Sequence, residues 1–420
     1  MIGLNLYESI VVLFIITQGI YFVNNLGVIS LYLKPKEIVP TREPDEYPHV
    51  NVLIAAHKER REIIEDTLED VHAADYPADR VTAYLIYEEN DDVIGEYASD
   101  LDIETVLVKE DDPVWERIEQ ERGKEAVTMP RNKARALTYT LYTRDFEGIV
   151  TVLDADTRFD PGLFKHGVVG LEDYDIVQAK QTVRNIGDGW LPMLESMGVA
   201  TWCKTVYERT STKPYQLLGK AYFLRAEDLY ELGGWNPYTI TEDMYLGIEA
   251  YKHGFSHGII DVYIEDLCPK TLDAWLTQKT RWVHGPYEVL TASLLNWREK
   301  LQFMNYTVTS QIISMTNIIG VPVGIAVLVL TLLGSAPALP LVVTGIVTAN
   351  LLVWLHHVYR SYSESRRAID FESTTQAIKF YSLSNILTQL LYATLWTFPI
   401  LFALKATIQK RTLTFEVTPK

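Results

Sequence analysis

GIVTVLDAD, residues 148–156, is the stretch that sets the fold: an apolar, β-branched run closing on two carboxylates, Asp154 and Asp156. A short apolar run of this kind reads as a strand buried on both faces. Working outward, HVNVLIAA (49–56) is a second such run ending at His57, and VTAYLIYE (81–88) a third ending at Glu88. Between and after them, RREIIEDTLEDVHAA (60–74) has helical spacing until Tyr76-Pro77 breaks it, and KARALTYTLYT (133–143) reads as a helix. Strands alternating with helices predict a largely parallel sheet. Ligands of such sheets sit at the carboxyl ends of the strands. His57, Glu88 and Asp154 are therefore expected to share one site, in an α/β domain over 48–270.

Three long stretches outside that domain carry no Asp, Glu, Lys or Arg: Ser9–Leu33, Leu301–Leu355 and Phe380–Leu404. A membrane span needs about 20 apolar residues. The start of the chain, MIGLNLYES, has neither the positive segment nor the cleavage site of a signal peptide, so residues 1–47 are expected to be an N-terminal span and linker. Lys34, Lys36 and Arg42 follow the span, which places the large domain in the cytosol by the positive-inside rule. Leu301–Leu355 is broken by GSAPALP (334–340) and predicts a helical hairpin over 301–358. Residues 271–300 mix Trp275, Trp282 and Trp297 with charges and suit interfacial helices. Phe380–Leu404 has basic residues on both sides and is interrupted by Pro399. Within 359–420 it reads as a broken or interfacial segment with both ends cytosolic, a simple span being the alternative.

The 38 basic and 55 acidic side chains leave a net charge of −17, which disfavours nucleic acid as a partner. Cys203 and Cys268 are the only cysteines, which excludes a disulfide framework or a cysteine-rich zinc site.

Three clusters carry chemistry. Asp154 and Asp156, one residue apart just past a strand, suit Mg2+ or Mn2+, which prefer oxygen ligands and can share a diphosphate. Thr241-Glu242-Asp243 opens a helical run and offers a carboxylate as general base. In QKTRW (278–282), helical spacing puts Gln278, Arg281 and Trp282 on one side. Gln and Arg can bind phosphate oxygens, and the indole offers a flat face to a sugar. Each cluster alone has a bland counterpart: an acidic loop, a helix start dressed with acids, a Trp–Arg interfacial anchor.

In the order DAD, TED, QKTRW and between membrane-type segments, these clusters resemble the processive family-2 glycosyltransferases, the cellulose, chitin and hyaluronan synthases. AAHKE (55–59) looks like that family's first nucleotide-binding turn, and Glu88-Glu89 stands where the family has an Asp pair facing the base. RNKARALTY (131–139) resembles its Lys-x-x-Ala-Leu-Asn element, with Lys133 as the lysine and Thr138 in place of Asn. LLGKAYFLRAEDLYELGGW (217–235) is similar to the acceptor-side segment, and FEVTPK (415–420) to the gating loop of cellulose synthase.

The resemblance implies a GT-A fold with transmembrane and interfacial helices, and an inverting transfer. The nucleotide of the donor, UDP in most of the family, would lie over His57, Glu59 and Glu88 or Glu89, with Thr418 and Lys420 closing over it. Asp154 and Asp156 would hold Mg2+ or Mn2+ on the diphosphate, Asp156 more directly, with Lys133, Gln278 and Arg281 beside it. Asp243 would be the base, flanked by Glu242, and Trp282 would stack on the acceptor sugar. A growing polysaccharide is the expected acceptor. One addition to a lipid or lipid-linked acceptor is the alternative, and an inactive scaffold of a synthase complex the reading from another class. Lipids of the cell membrane would surround a multi-pass chain, and association into homo-oligomers or a synthase complex is left open.

Overall fold

A computed structural model describes residues 5–122, 131–209, 217–335, 337–369 and 371–409. The gating-type tail, with Thr418 and Lys420, lies outside them.

After the helix α1 (Leu6–Tyr32) and an extended linker, the chain enters an eight-stranded sheet. Its strands are β1 (Val50–Ala55), β2 (Val81–Glu88), β3 (Glu104–Val108), β4 (Ile149–Asp154), β5 (Arg158–Phe159), β6 (Ile176–Val183), β7 (Tyr222–Arg225) and β8 (His257–Asp266), in the spatial order β3-β2-β1-β4-β7-β6-β8-β5. The first four neighbours pair in parallel, as does β6 with β8; β7 runs antiparallel between β4 and β6, and β5 antiparallel to β8. The result is a mixed, mostly parallel sheet.

The helices among the strands are α2 (Arg61–His72), α3 (Asp92–Gly95), α4 (Val114–Arg122), α5 (Lys133–Thr143), α6 (Leu163–Asp173), α7 (Trp190–Thr205), α8 (Ala226–Leu232) and α9 (Glu242–His253). They cover both faces, which is why the strands are apolar throughout rather than alternating. Val52 and Ile54 pack on one face with Ile64 and Leu68 of α2 and Phe164 of α6. Leu53, Val150 and Val152 pack on the other with Ala134, Leu137 and Leu141 of α5.

Beyond β8 come α10 (Leu272–Thr291), α11 (Trp297–Thr307), α12 (Thr309–Leu332), α13 (Leu341–Ala368), α14 (Thr374–Leu383), α15 (Ile386–Leu395) and α16 (Thr397–Ile408). Among the described residues four segments are long and apolar enough to cross a membrane: Leu6–Tyr32, Thr309–Leu332, Leu341–Ala368 and Ile386–Ile408. Two helices, α12 and α13, stand where a hairpin over 301–358 is expected, but each packs against α1, and α13 runs on to Ala368. Its last turns are buried against the sheet, where Glu364 pairs with Lys180 of β6 and with the Tyr263 hydroxyl of β8. The Phe380–Leu404 stretch is interrupted, though not at Pro399, and Ile386–Ile408 within and beyond it is still long and apolar enough to cross a membrane, as the alternative of a simple span requires. That proline sits third in α16, within the first turn, where its missing N–H has no intrahelical role. The breaks fall at Asn385, whose side chain caps α15 by accepting from the Leu387 and Thr388 amides, and at Trp396. Near the middle of α12, Gly320 faces Tyr21 of α1, whose hydroxyl would lie 2.2 Å from an added Cβ. Small residues of this kind let membrane-type helices approach closely.

Candidate active site

The parallel strands end along one rim of the sheet, and three of them end in acids: Glu88 of β2, Asp154 of β4 and Asp266 of β8. Because β7 is antiparallel to β4, the turn leading into it, Gly219-Lys220-Ala221, arrives at the same rim. The Ala221 amide donates to Val152 O at 2.6 Å. Ala221 holds φ +50, a left-handed conformation unusual for a residue with a side chain. The turn is thus fixed against the end of β4.

Asp154 lies between two ammonium groups: Lys133 Nζ is 2.5 Å from Oδ1 and Lys220 Nζ 2.8 Å from Oδ2. Lys133 also donates to the Gly219 carbonyl at 2.6 Å, and Lys220 reaches Asp266 at 2.7 Å. Asp156 is only 2 % exposed, and its charge acts on both Lys220 and Asp266. Burial pulls the Lys220 ammonium down, but Asp154, Asp266 and Asp156 outweigh it and hold it above the usual lysine range. Lys133 is likewise lowered by burial and raised on balance by Asp154 and Glu242. For Asp266, burial wins over Lys220 and the carboxyl is pushed up.

Glu242 and Asp243 are the first two residues of α9. A helix N-terminus ordinarily favours ionised acids. Here burial dominates. It raises Glu242, against the opposing charge of Lys133, and together with the neighbouring Glu242 charge it raises Asp243 to about 7. Asp243 stays within reach of the diacid region: a Cβ on Gly219 would lie 3.5 Å from Asp243 Oδ2 and 3.9 Å from Lys133 Nζ.

α10 brings in Gln278, Arg281 and Trp282. It crosses the start of α9 at Gly285, where an added Cβ would sit 2.4 Å from Thr241 Oγ1. Trp282 is 44 % exposed, and Lys279 Nζ stands 3.3 Å from its ring centroid. Lys279 is itself fixed by a buried contact of 2.6 Å to Glu195 of α7. The same carboxylate accepts from Trp275 Nε1 at 3.0 Å and from the Tyr392 hydroxyl of α15. Trp282 thus carries an ammonium over its ring and keeps part of its surface open in the cavity wall.

At the other end, the turn after β1 is built on Asp91, a buried acid that accepts from the Lys58 amide at 2.7 Å and lies 3.1 Å from His57 Nδ1. Tyr97 donates to the Glu59 carbonyl at 2.8 Å. Arg135 donates to both oxygens of Glu88 at 2.5 Å while stacking over Trp115. A single continuous cavity of about 1450 Å3 touches His57, Glu59, Glu88, Lys133, Asp154 and Asp156, and equally Glu242, Asp243, Gln278, Arg281 and Trp282. Glu89 is exposed and turned toward β3, where it accepts from the Glu110 amide at 3.0 Å; it is not part of the cavity wall.

A family profile described as glycosyl transferase family group 2 matches residues 149–409, more than half of the chain. The chain belongs to this family. This glycosyltransferase is 25 % identical over 322 residues to glucomannan 4-beta-mannosyltransferase 7 of Arabidopsis thaliana, covering 68 % of the chain and 53 % of that protein. It is 23 % identical over 287 residues to the beta-monoglucosyldiacylglycerol synthase of a Synechocystis strain, covering 65 % and 57 %. It spans somewhat over half the length of these relatives. Among solved structures, a mannosyltransferase from Pyrobaculum calidifontis in complex with GDP-Man and Mn2+ superimposes with a TM-score of 0.56 at 15 % identity, covering 96 % of this chain and 99 % of that one. The GT-A-type fold expected from the sequence is thereby shown.

Among the described residues of the glycosyltransferase no group of three or more His, Cys, Asp or Glu side chains forms a metal cage. Two carboxylates on one turn fit a cation shared with a substrate diphosphate, since Mg2+ is commonly held by one or two carboxylates plus phosphates. Sequence reasoning passed over Lys220, Asp266, Asp91, Arg135 and Glu195. Lys220 and Arg135 lie inside quoted segments, so their positions were visible although their roles were not. Asp266 and Glu195 find their partners only through the fold.

Proposed function

We propose that this enzyme is a membrane-bound, inverting glycosyltransferase that takes a sugar from a nucleotide-sugar donor. The observation that carries the reading is the convergence of Asp154-Asp156, Lys133 and Asp243 on one cavity. The nucleoside lies against the His57–Glu59 turn and Glu88, with the diphosphate over Lys133, Lys220 and Arg281. Asp154 and Asp156 would hold Mg2+ or Mn2+, which would offset the charge growing on the departing diphosphate.

Asp243 accepts the proton of an acceptor hydroxyl as that oxygen bonds to the anomeric carbon. The carbon–oxygen bond to the diphosphate breaks on the opposite face, and its electron pair leaves with the nucleoside diphosphate. Lys133 and Arg281 stabilise that charge without having to reorganise. Trp282 stacks on the acceptor sugar. The basic residues at the inner ends of the membrane-type helices, Lys36 paired with Glu208 and Arg367 paired with Asp261, support a cytosolic domain held firmly against the membrane.

The test is metal-dependent release of nucleoside diphosphate from a panel of UDP- and GDP-sugars by the purified protein. Release above the metal-free background supports the reading, and failure with every donor refutes it.

A further inference from the structure

The cavity does not end at Trp282. Its volume of about 1450 Å3 exceeds the roughly 300–1,000 Å3 of a pocket for one small ligand. Its wall continues along α12 from Thr309 to Leu328, about 28 Å at 1.5 Å per residue, and along α1 and α13, α1 packing directly against both α12 and α13.

The character of that wall changes with distance from Asp243. Nearest the transfer site it is polar: Gln311, Ser314 and Asn317 of α12, with Asn25 of α1 and Asn350 of α13. Their side chains are tied across helices, Asn25 donating to Asn350 at 2.9 Å and Tyr21 to Asn317 at 2.7 Å. Further along it is apolar: Val321, Gly324, Ile325 and Leu328 of α12, with Phe14 and Val347 opposite. Every residue of this arm named here is uncharged.

A glycan threading the arm would need hydrogen-bond partners throughout, because hydroxyls stripped of water against an apolar wall are left unpaired. A molecule with a polar head and a hydrocarbon chain meets the wall in the right order. Ile325 and Leu328 are also 54 % and 57 % exposed on a helix of membrane-spanning length, which leaves the apolar half open to lipid from the side.

We propose that the acceptor is lipid-linked, its sugar head held beside Asn317 and Gln311 and its chain lying along Val321–Leu328. This rests on the transferase reading above and chooses between its two acceptor classes.

The test uses the protein in nanodiscs with Mn2+ and the nucleotide sugar from which it releases nucleoside diphosphate. Methyl, octyl and hexadecyl glycosides of one sugar serve as acceptors. KM is expected to fall about ten-fold or more from methyl to hexadecyl, as burial of a few methylenes implies. Partition into the bilayer alone would lower KM too, so the deciding comparison is Gly324→Trp. A Cβ at Gly324 meets nothing within 4 Å, and the indole would fill the arm. The variant should bring the methyl-to-hexadecyl ratio to within about two-fold of unity. Ile325→Trp serves the same purpose should Gly324→Trp fail to fold. A ratio that survives the plug, or a ladder of water-soluble glycans as product, overturns the proposal. Loss of nucleoside diphosphate release from every donor in the wild type would instead count against the transferase reading.

Discussion

Asp243 can serve as a base near neutrality because burial and the adjacent Glu242 carry its carboxyl to about 7. Below that value the base is protonated and each pH unit costs about ten-fold in its active form. kcat/KM should therefore rise with pH up to about 7 and level off above it. Glu242→Gln removes the like charge and should move that limb to lower pH; an unmoved limb would assign it to another group. The same shift has a sign for stability. The folded chain binds this proton more tightly than the unfolded chain, so the contribution is present in acid and lost as pH rises through about 7. Arg135 makes a different kind of contribution. Only 6 % exposed, it pairs with Glu88, and Arg135→Met leaves that largely covered carboxylate, 12 % exposed, without its ion pair. A loss of about 3 kcal/mol is expected on unfolding in detergent. The acids of the candidate site, Asp154, Asp156, Glu242 and Asp243, were legible in the sequence because their spacing past a strand or at a helix start is local. Their counter-charges were not: Lys220 meets Asp266 only because an antiparallel strand returns to the rim where the parallel strands end.

At the scale of elements, α5 and α10 do most of the positioning. The first turn of α5 sends Lys133 to β4 and Arg135 to β2, so one helix serves two acid-tipped strands. α10 is set by the contact of Gly285 with Thr241. Gly285→Ala places a Cβ 2.4 Å from Thr241 Oγ1, and α10 has to move away from α9. Since a misplacement of about 1 Å can cost about 10²-fold, kcat should fall by that order. Full kcat in the variant would show that the packing is dispensable. β2 and α5 coincide with their sequence readings over 81–88 and 133–143, because apolar runs and helical spacing are local signals. The last apolar segment was less legible. Pro399 looked like the breaker, but a proline in a first helical turn breaks nothing; one break is capped by the polar Asn385 within apolar surroundings, and the other, at Trp396, has no side-chain cap.

For the whole molecule, the sheet and the membrane-type helices are joined at the C-terminal end of α13 and by Glu195, whose partners lie on α10 and α15. The sequence showed both parts and their order, while the way they share one cavity depended on contacts between residues far apart along the chain. Chelation should abolish nucleoside diphosphate release, and added Mn2+ should restore it. Retained release in chelator would remove the role given to Asp154 and Asp156. The most direct test compares two variants by calorimetric titration of nucleoside diphosphate with and without Mn2+, alongside sugar transfer. Asp243→Asn should bind nucleotide as the parent does yet lose transfer by about 10²-fold or more, while Asp156→Ala should lose the Mn2+-dependent part of binding. Full transfer by Asp243→Asn, or undiminished Mn2+-dependent binding by Asp156→Ala, would contradict the account.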